Sequence, residues 1–377
     1  EARKQWVIEA TGRDSKFRTD GQLENAKVFA RLCLSNGQDK AALEHTVTAM
    51  EAIAAATDPT TKRGGDIGGQ VRTAAPALVR ILYKFGNSFN AEQLERIKRA
   101  VSGEVFTYRI RDHGTENHAM DFVSALYLLP QYFPDATWKW AGLKGREFAK
   151  DGRQTFTSQQ MMDEARGRIL RRGRNFYRAG HAEQLSTTYD MLSARSSFLL
   201  WEFARDPVVR DAGEALTVYH VGLHALNGFD GHTMPPFNRR NALQARSAPD
   251  GRILPFSNLA AWLFWGLNER IETNPADGQT MDFAISSLRI PEPLNRIARG
   301  AGAPYEIRGA NGQFGFWGQA IPPQTTRDPE TLRYVWRDRD FAIGGPVGVN
   351  FNPAGYFPDN HMFNIVWKSK NRLRALE

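Results

Sequence analysis

Apolar residues recur at intervals of three and four along most of the chain, and this period commits the first three-quarters to amphipathic helices. The segment Ala41 to Ala56 carries Leu43, Val47, Met50 and Ile53 at that spacing. Gly69 to Phe85 repeats it with Val71, Leu78, Ile81 and Leu82, then stops at Gly86-Asn87. The same pattern predicts helices over Leu23 to Leu34, Ala91 to Phe106, Asn117 to Phe133 before Pro134, and a long polar one over Leu143 to Tyr177. Leu185 to Ala204, Val208 to Leu226 and Leu259 to Ile271 close the series. No strand signal alternates with these helices, which argues against a βαβ fold. Successive hairpins of comparable size predict a mainly α architecture, an (α/α) toroid built as an incomplete barrel of helical hairpins. The hairpins show no fixed sequence period, so identical stacked repeats are not expected.

The pattern changes after about Pro291. Glycine and proline thicken, and aromatics alternate with polar residues in Tyr305-Glu-Ile, Phe314-Gly-Phe-Trp317, Tyr334-Val-Trp336, Phe341-Ala-Ile343 and Met362 to Trp367. Short strands joined by turns are expected there. The division predicted is a helical domain over 1–290 and a small β-rich segment over 291–377, the opening of a larger β-sandwich.

Charge narrows the partner. Lys and Arg outnumber Asp and Glu by 49 to 41, a net charge of +8, which favours a polyanion. The basic residues are scattered, and the cluster Arg166, Arg168, Arg171, Arg172, Arg174 and Arg178 spreads around its helix. No RNP, zinc-finger or helix-turn-helix pattern accompanies them, so nucleic acid is not the expected partner. No apolar run is long enough to span a membrane. The single cysteine, Cys33, cannot form an intramolecular disulfide and reads as a buried thiol. A start at Glu1 rather than Met is expected of a processed or trimmed N-terminus.

Three segments carry chemistry. In His113-Gly-Thr-Glu-Asn-His118-Ala-Met-Asp121, Thr115 suits an N-cap, which sets Glu116, Asn117 and His118 in the first turn of a helix. Free backbone N–H groups and the helix dipole favour an anion there, and an amide beside an imidazole can hold a carboxylate. In Tyr177-Arg178-Ala-Gly-His181-Ala-Glu183-Gln-Leu-Ser186-Thr-Thr-Tyr189-Asp190, the polar edge of a helix start runs beside Tyr189. The third segment runs from Asn227 to His232 and on to Phe237-Asn-Arg239-Arg240-Asn241. Arg239 and Arg240 suit bidentate capture of a carboxylate. His220 and His224, four apart, have zinc-ligand spacing and His232 is a third weak candidate, but no HExxH accompanies them and structural histidines are the expected reading.

Together these segments resemble the helical-toroid polysaccharide lyases, the group that includes alginate, glucuronan, chondroitin and heparin-type lyases. Asn117-His118 resembles the Asn-His pair that opens an inner helix in the alginate-lyase branch, and Glu183-x-x-Ser186-x-x-Tyr189 resembles the later helix bearing the catalytic tyrosine. Tyr334 to Ile343 is similar to the opening of the β-sandwich that follows many such toroids. The layout matches over residues 40–345. Two features depart from the branch: the Asn-Asn-His-x-Tyr-Trp form is absent, and Ala182 stands where an arginine precedes the tyrosine by seven residues, leaving Arg178 or the Arg239-Arg240 pair to substitute.

The resemblance implies β-elimination on a uronate-containing polysaccharide, of glucuronan or alginate type, outside the cytoplasm in the periplasm or as a secreted enzyme. Asn117 with Arg239 or Arg240 would neutralise the uronate carboxylate, helped by Glu183 if protonated, and so stabilise the enolate-like intermediate. Tyr189 serves as both base and acid in a syn elimination, with His118 tuning it; in an anti elimination His118 is the base and Tyr189 the acid. Glu116, Arg178, His181, Glu183, Arg240 and Trp140 are the expected substrate-binding residues, with Trp138 and Trp140 able to stack on sugar rings. The scheme requires no metal or other cofactor. Two other readings stay open at this point. One is a glycoside hydrolase on the same toroid, drawing its two carboxylic acids from Glu116, Asp121, Glu183 and Asp190. The other is a non-enzymatic polyanion binder.

Overall fold

A computed structural model describes residues 1–13, 16–17, 23–55, 64–103, 116–139, 154–180, 185, 189–234, 256–267, 278–310, 332–347, 364–369 and 372–376. Its helices are α1 (Ala2–Gly12), α2 (Asn25–Leu34), α3 (Lys40–Ala55), α4 (Gly64–Phe85), α5 (Ala91–Val101), α6 (Glu116–Tyr132), α7 (Ser158–Ala179), α8 (Tyr189–Phe203), α9 (Pro207–Leu226), α10 (Phe256–Trp265), α11 (Gly278–Ala284) and α12 (Glu292–Ala298). Strands β1 (Thr137–Lys139) and β2 (Thr155–Thr157) form one hairpin, and β3 (Gly228–Phe229) and β4 (His232–Thr233) another. Strands β5 (Tyr305–Ala310), β6 (Leu332–Arg337), β7 (Phe341–Val347), β8 (Asn364–Ser369) and β9 (Arg372–Leu376) form one antiparallel sheet in sequence order. The protein is therefore mainly helical with a small C-terminal β region.

Most expected helices are present, and the differences have local causes. The long polar helix starts at Ser158, not Leu143, because Thr155–Thr157 pairs with Thr137–Lys139. A capping box then sets the helix start: Gln160 N–H donates to Thr157 Oγ1 at 3.3 Å, and Thr157 N–H donates to Gln160 Oε1 at 3.0 Å. The helix expected to run to Ile271 ends at Trp265, where Gly266 takes a positive φ of 69° and closes it with a left-handed residue. Helices α1, α11 and α12 have no counterpart in the sequence reading; α11 and α12 have seven residues each, too few to show a period. Because α12 lies beyond Pro291, the β region begins at Tyr305 rather than at the change in composition. Trp138, a candidate for sugar stacking, is fully buried and donates its indole N–H to Ser158 Oγ at 2.8 Å, so it is a core residue. Trp140 and Phe314 to Trp317 lie outside the described residues.

Side-chain contacts give the helix directions. Arg195 and Ser196 of α8 reach Asp121 of α6, and further along Gln131 donates to the Phe203 carbonyl and accepts from the Arg205 amide. Helices α6 and α8 therefore run parallel. Helix α9 runs back along α8, with His220 and His224 near its start, at Asp190, and Gly213 against the backbone of Leu200 and Trp201 near its end. A Cβ at Gly213 would stand 2.5 Å from the Trp201 nitrogen, so this close helix crossing requires glycine. Helix α7 runs with α9: Arg166 pairs with Asp206 at 2.6 Å, and Tyr177 donates to the Ala215 carbonyl. Two antiparallel hairpins, α6–α7 and α8–α9, thus lie side by side, with α6 and α8 in one layer and α7 and α9 in the other.

A buried ionic chain crosses the layer that holds α6 and α8. Lys84 of α4 lies 3.3 Å from Glu202, whose other oxygen lies 2.5 Å from Arg80. Arg80 and Arg195 each stand 3.5 Å from Asp282 of α11, and Arg195 reaches Asp121 at 2.7 Å. Among the described residues, three cations face three carboxylates in this chain. Burial tends to raise the Glu202 carboxyl, but Arg80, the Ser287 amide and Lys84 outweigh it and hold the group at about 2. A carboxyl depressed on folding stabilises the folded state above the ordinary glutamate range, and that contribution is lost as pH falls. Urea unfolding of the wild type should therefore weaken between about pH 4 and pH 2, and Glu202→Gln should flatten that part of the profile. An unchanged slope in the variant would remove Glu202 from the acid response.

The sheet docks on the helices through one buried cation. Arg337 donates to the carbonyls of Ile297 (3.2 Å) and Ala298 (3.0 Å), at the end of α12, and to Tyr305 Oη at 3.2 Å. It thereby satisfies carbonyls that a helix end leaves without intrahelical partners. Tyr305 in turn donates to the Leu226 carbonyl at the end of α9. On the same sheet face, Val335, Ala342 and Val366 pack with Phe229 and Met234 of the β3–β4 segment.

Candidate functional site

The parallel register of α6 and α8 aligns their first turns. Asp121 is opposite Arg195 and Ser196, and one turn earlier that offset sets Asn117 level with Met191 and Leu192, one turn into α8 from Tyr189. The Asn-His pair and the tyrosine segment, far apart in sequence, thus open neighbouring helices at one end of the bundle. Asn117 is fully buried and His118 partly so. Glu116 is the first residue of α6 and Tyr189 the first of α8. Just before α8, Leu185 is fully buried with a positive φ of 57°. A bulky side chain rarely adopts that backbone, and its burial holds the segment in place.

Behind this end lies a second buried polar group. Asp190 follows Tyr189 and has no exposed surface. His220 Nδ1 lies 2.5 Å from Asp190 Oδ1, and His224 Nε2 lies 2.9 Å from Asp190 Oδ2. His224 Nδ1 in turn lies 3.0 Å from Thr233 Oγ1 on β4. Burial alone would raise the Asp190 carboxyl, but the charges and hydrogen bonds of His220 and His224 outweigh it, leaving the group well below the carboxylate range. Phe176 and Tyr219 present their ring planes nearly perpendicular to the His220 ring, at 5.7 and 5.3 Å. A cavity of 10 Å³ beside His224, Thr233 and Trp265 has room for about one water molecule, so this cluster does not itself receive a sugar.

The remaining candidates divide as follows. His220 and His224 face the Asp190 carboxylate directly, and among the described residues there is no group of three or more His, Cys, Asp or Glu that could hold a metal ion. His232 lies on β4 and Arg178 in the last turn of α7. His181, Glu183, Arg239, Arg240 and Trp140 lie outside the described residues. Two carboxylates offered for hydrolysis are committed elsewhere: Asp121 to Arg195 and Ser196, and Asp190 to the two histidines, both fully buried. Of the arginine cluster, Arg166 pairs with Asp206. Cys33 is partly buried, and burial pushes its thiol up.

Sequence reasoning missed Arg80, Arg195, Asp282 and Thr233. For the arginines a signal was present: Arg80 interrupts Ala74 to Leu82, and Arg195 interrupts Met191 to Leu200, both otherwise apolar or small. A charge inside such a run requires a buried partner. Thr233 in a polar turn carries no comparable signal.

Comparison with known protein families, curated proteins and solved structures gave no match to this chain.

Proposed function

We propose that the protein is a polysaccharide lyase that cleaves an acidic, uronate-containing polymer of glucuronan or alginate type by β-elimination, and that its helical hairpins form an incomplete (α/α) toroid. The observation that carries this reading is the alignment of two first turns: Asn117 and His118 open α6 at the same end of the bundle as Tyr189 opens the parallel α8. Two adjacent parallel helices, each followed by an antiparallel partner, are the repeating unit that a toroid requires.

In this reading the uronate carboxylate lies against the first turn of α6. Asn117, the N–H groups of that turn and Arg239 or Arg240 spread its negative charge as the C5 proton leaves. Tyr189 and His118 share the transfer of that proton and the protonation of the departing O4, in the order that the substrate's syn or anti geometry dictates. Glu116, Arg178, His181, Glu183 and Trp140 line the polymer path. The net charge of +8 suits a polyanionic substrate. The burial of Asp121 and Asp190 in fixed contacts favours elimination over hydrolysis, since it removes two of the four carboxylates that hydrolysis would draw on.

The test is ultraviolet absorbance during incubation with a panel of polyuronates and glycosaminoglycans. A rise with one polymer is expected, from the unsaturated uronate end that elimination leaves. New reducing ends without absorbance would make the protein a hydrolase. Silence in both assays would reject catalysis on these polymers.

A further inference from the structure

The cluster behind Tyr189 is built more elaborately than helix packing requires. A carboxylate and two imidazoles occupy the interior where α8 and α9 meet, and an apolar set of the same volume would avoid their desolvation cost. Each Asp190 oxygen faces one imidazole, Oδ1 hydrogen-bonded to His220 Nδ1 at 2.5 Å and Oδ2 at 2.9 Å from His224 Nε2. An ionised carboxylate only accepts, so the short contact to Oδ1 is one in which His220 Nδ1 donates. On the other side of the His224 ring, Nδ1 lies 3.0 Å from the Thr233 hydroxyl. The chain Thr233–His224–Asp190 thus links the β3–β4 hairpin, through α9, to the residue beside Tyr189. The hairpin itself is held by the Met234 amide, which donates to the Asn227 carbonyl at 2.7 Å, and by Phe229 and Met234 packing under the sheet.

We propose that His224 and Thr233 are positioning residues, which hold Asp190 and so set the rotation of the first turn of α8 from which Tyr189 projects. The catalytic part of this inference rests on the lyase reading above. A small rotation of that turn would move the tyrosine relative to Asn117, and displacements of about 1 Å can cost two orders of magnitude in rate.

The experiment compares Thr233→Val and Thr233→Ser with the wild type. Valine keeps the shape and removes the hydroxyl; serine keeps the hydroxyl. On the polyuronate that the wild type cleaves, Thr233→Val should lower kcat about tenfold with KM unchanged, and Thr233→Ser should recover it. Wild-type kcat in the valine variant, or an equal loss in the serine variant, would overturn the proposal. A second readout does not depend on catalysis. The His224 Nδ1 resonance in ¹⁵N NMR should move in Thr233→Val and return in Thr233→Ser, while amide exchange in the first two turns of α8 quickens and then recovers. Identical spectra and exchange in all three proteins would overturn the relay even if the wild type proves to be a lyase. If the wild type cleaves no polyuronate but these changes occur, the relay stands and the lyase reading falls.

Discussion

Arg195→Met should destabilise the protein by about 3–5 kcal/mol, the cost of removing one partner from a buried ion pair. Arg195 is 1% exposed and lies between Asp121 and Asp282, neither of which has exposed surface. Methionine fills most of the volume but leaves Asp121 facing the hydroxyl of Ser196, a neutral donor that cannot replace a cation. Asp282 retains Arg80 at 3.5 Å, so the loss falls mainly on Asp121. Adding Asp121→Asn removes that stranded charge, and the double variant should recover a large part of the stability. Urea midpoints at constant slope give both values. Losses that simply add in the double variant would mean that the pair is not coupled. The outcome bears on function because this pair fixes the register of α6 against α8, and with it the alignment of the two first turns.

Asn117→Ala should lower kcat/KM about 10²–10³-fold, the effect of removing one donor aimed at developing negative charge. Asn117 is fully buried, so loss of its amide also costs stability, on the order of 1–3 kcal/mol. Thermal unfolding therefore accompanies the assay, and the rate is corrected for the folded fraction. Asn117→Asp separates the two effects: it keeps the shape, but sets a negative charge beside the substrate carboxylate and removes the donor. It should be at least as inactive as the alanine variant. Tyr189→Phe should also abolish elimination, since it deletes the group that moves the proton. Full activity in both Asn117→Ala and Tyr189→Phe would discard this site.

Much of the architecture was legible in the residues because it follows from local rules. A period of three to four apolar residues marks a helix in any context, and Ala41 to Ala56, Gly69 to Phe85 and Val208 to Leu226 each became one within a few residues of the expected bounds. Alternation of aromatic and polar residues likewise marked strands of the C-terminal sheet, three of them at Tyr305, Tyr334 and Phe341. Asn117-His118 was legible as a helix-opening pair, since its polar residues stand just before an apolar run. The errors are also local in origin. Leu143 was expected to open a helix because a strand of three residues, Thr155–Thr157, carries too little pattern to interrupt a longer period. The β region was started too early because glycine and proline around Pro291 mask a helix of seven residues.

What only the tertiary structure decided is which distant residues meet. Sequence spacing within one helix determines which residues share its face, but carries no information on the register between helices 70 residues or more apart. The pairing of Asp121 with Arg195 across 74 positions, and of Arg80 with Glu202 across 122, is set by how whole helices pack. That packing set Asp121 against Arg195 and Ser196, and Asp190 against His220 and His224, partners that spacing along the chain does not reveal. The sequence by itself determined the helices, the strands and the polar first turns of α6 and α8. Burial decided the rest, because a charge taken out of water must find its counter-charge wherever the fold brings one.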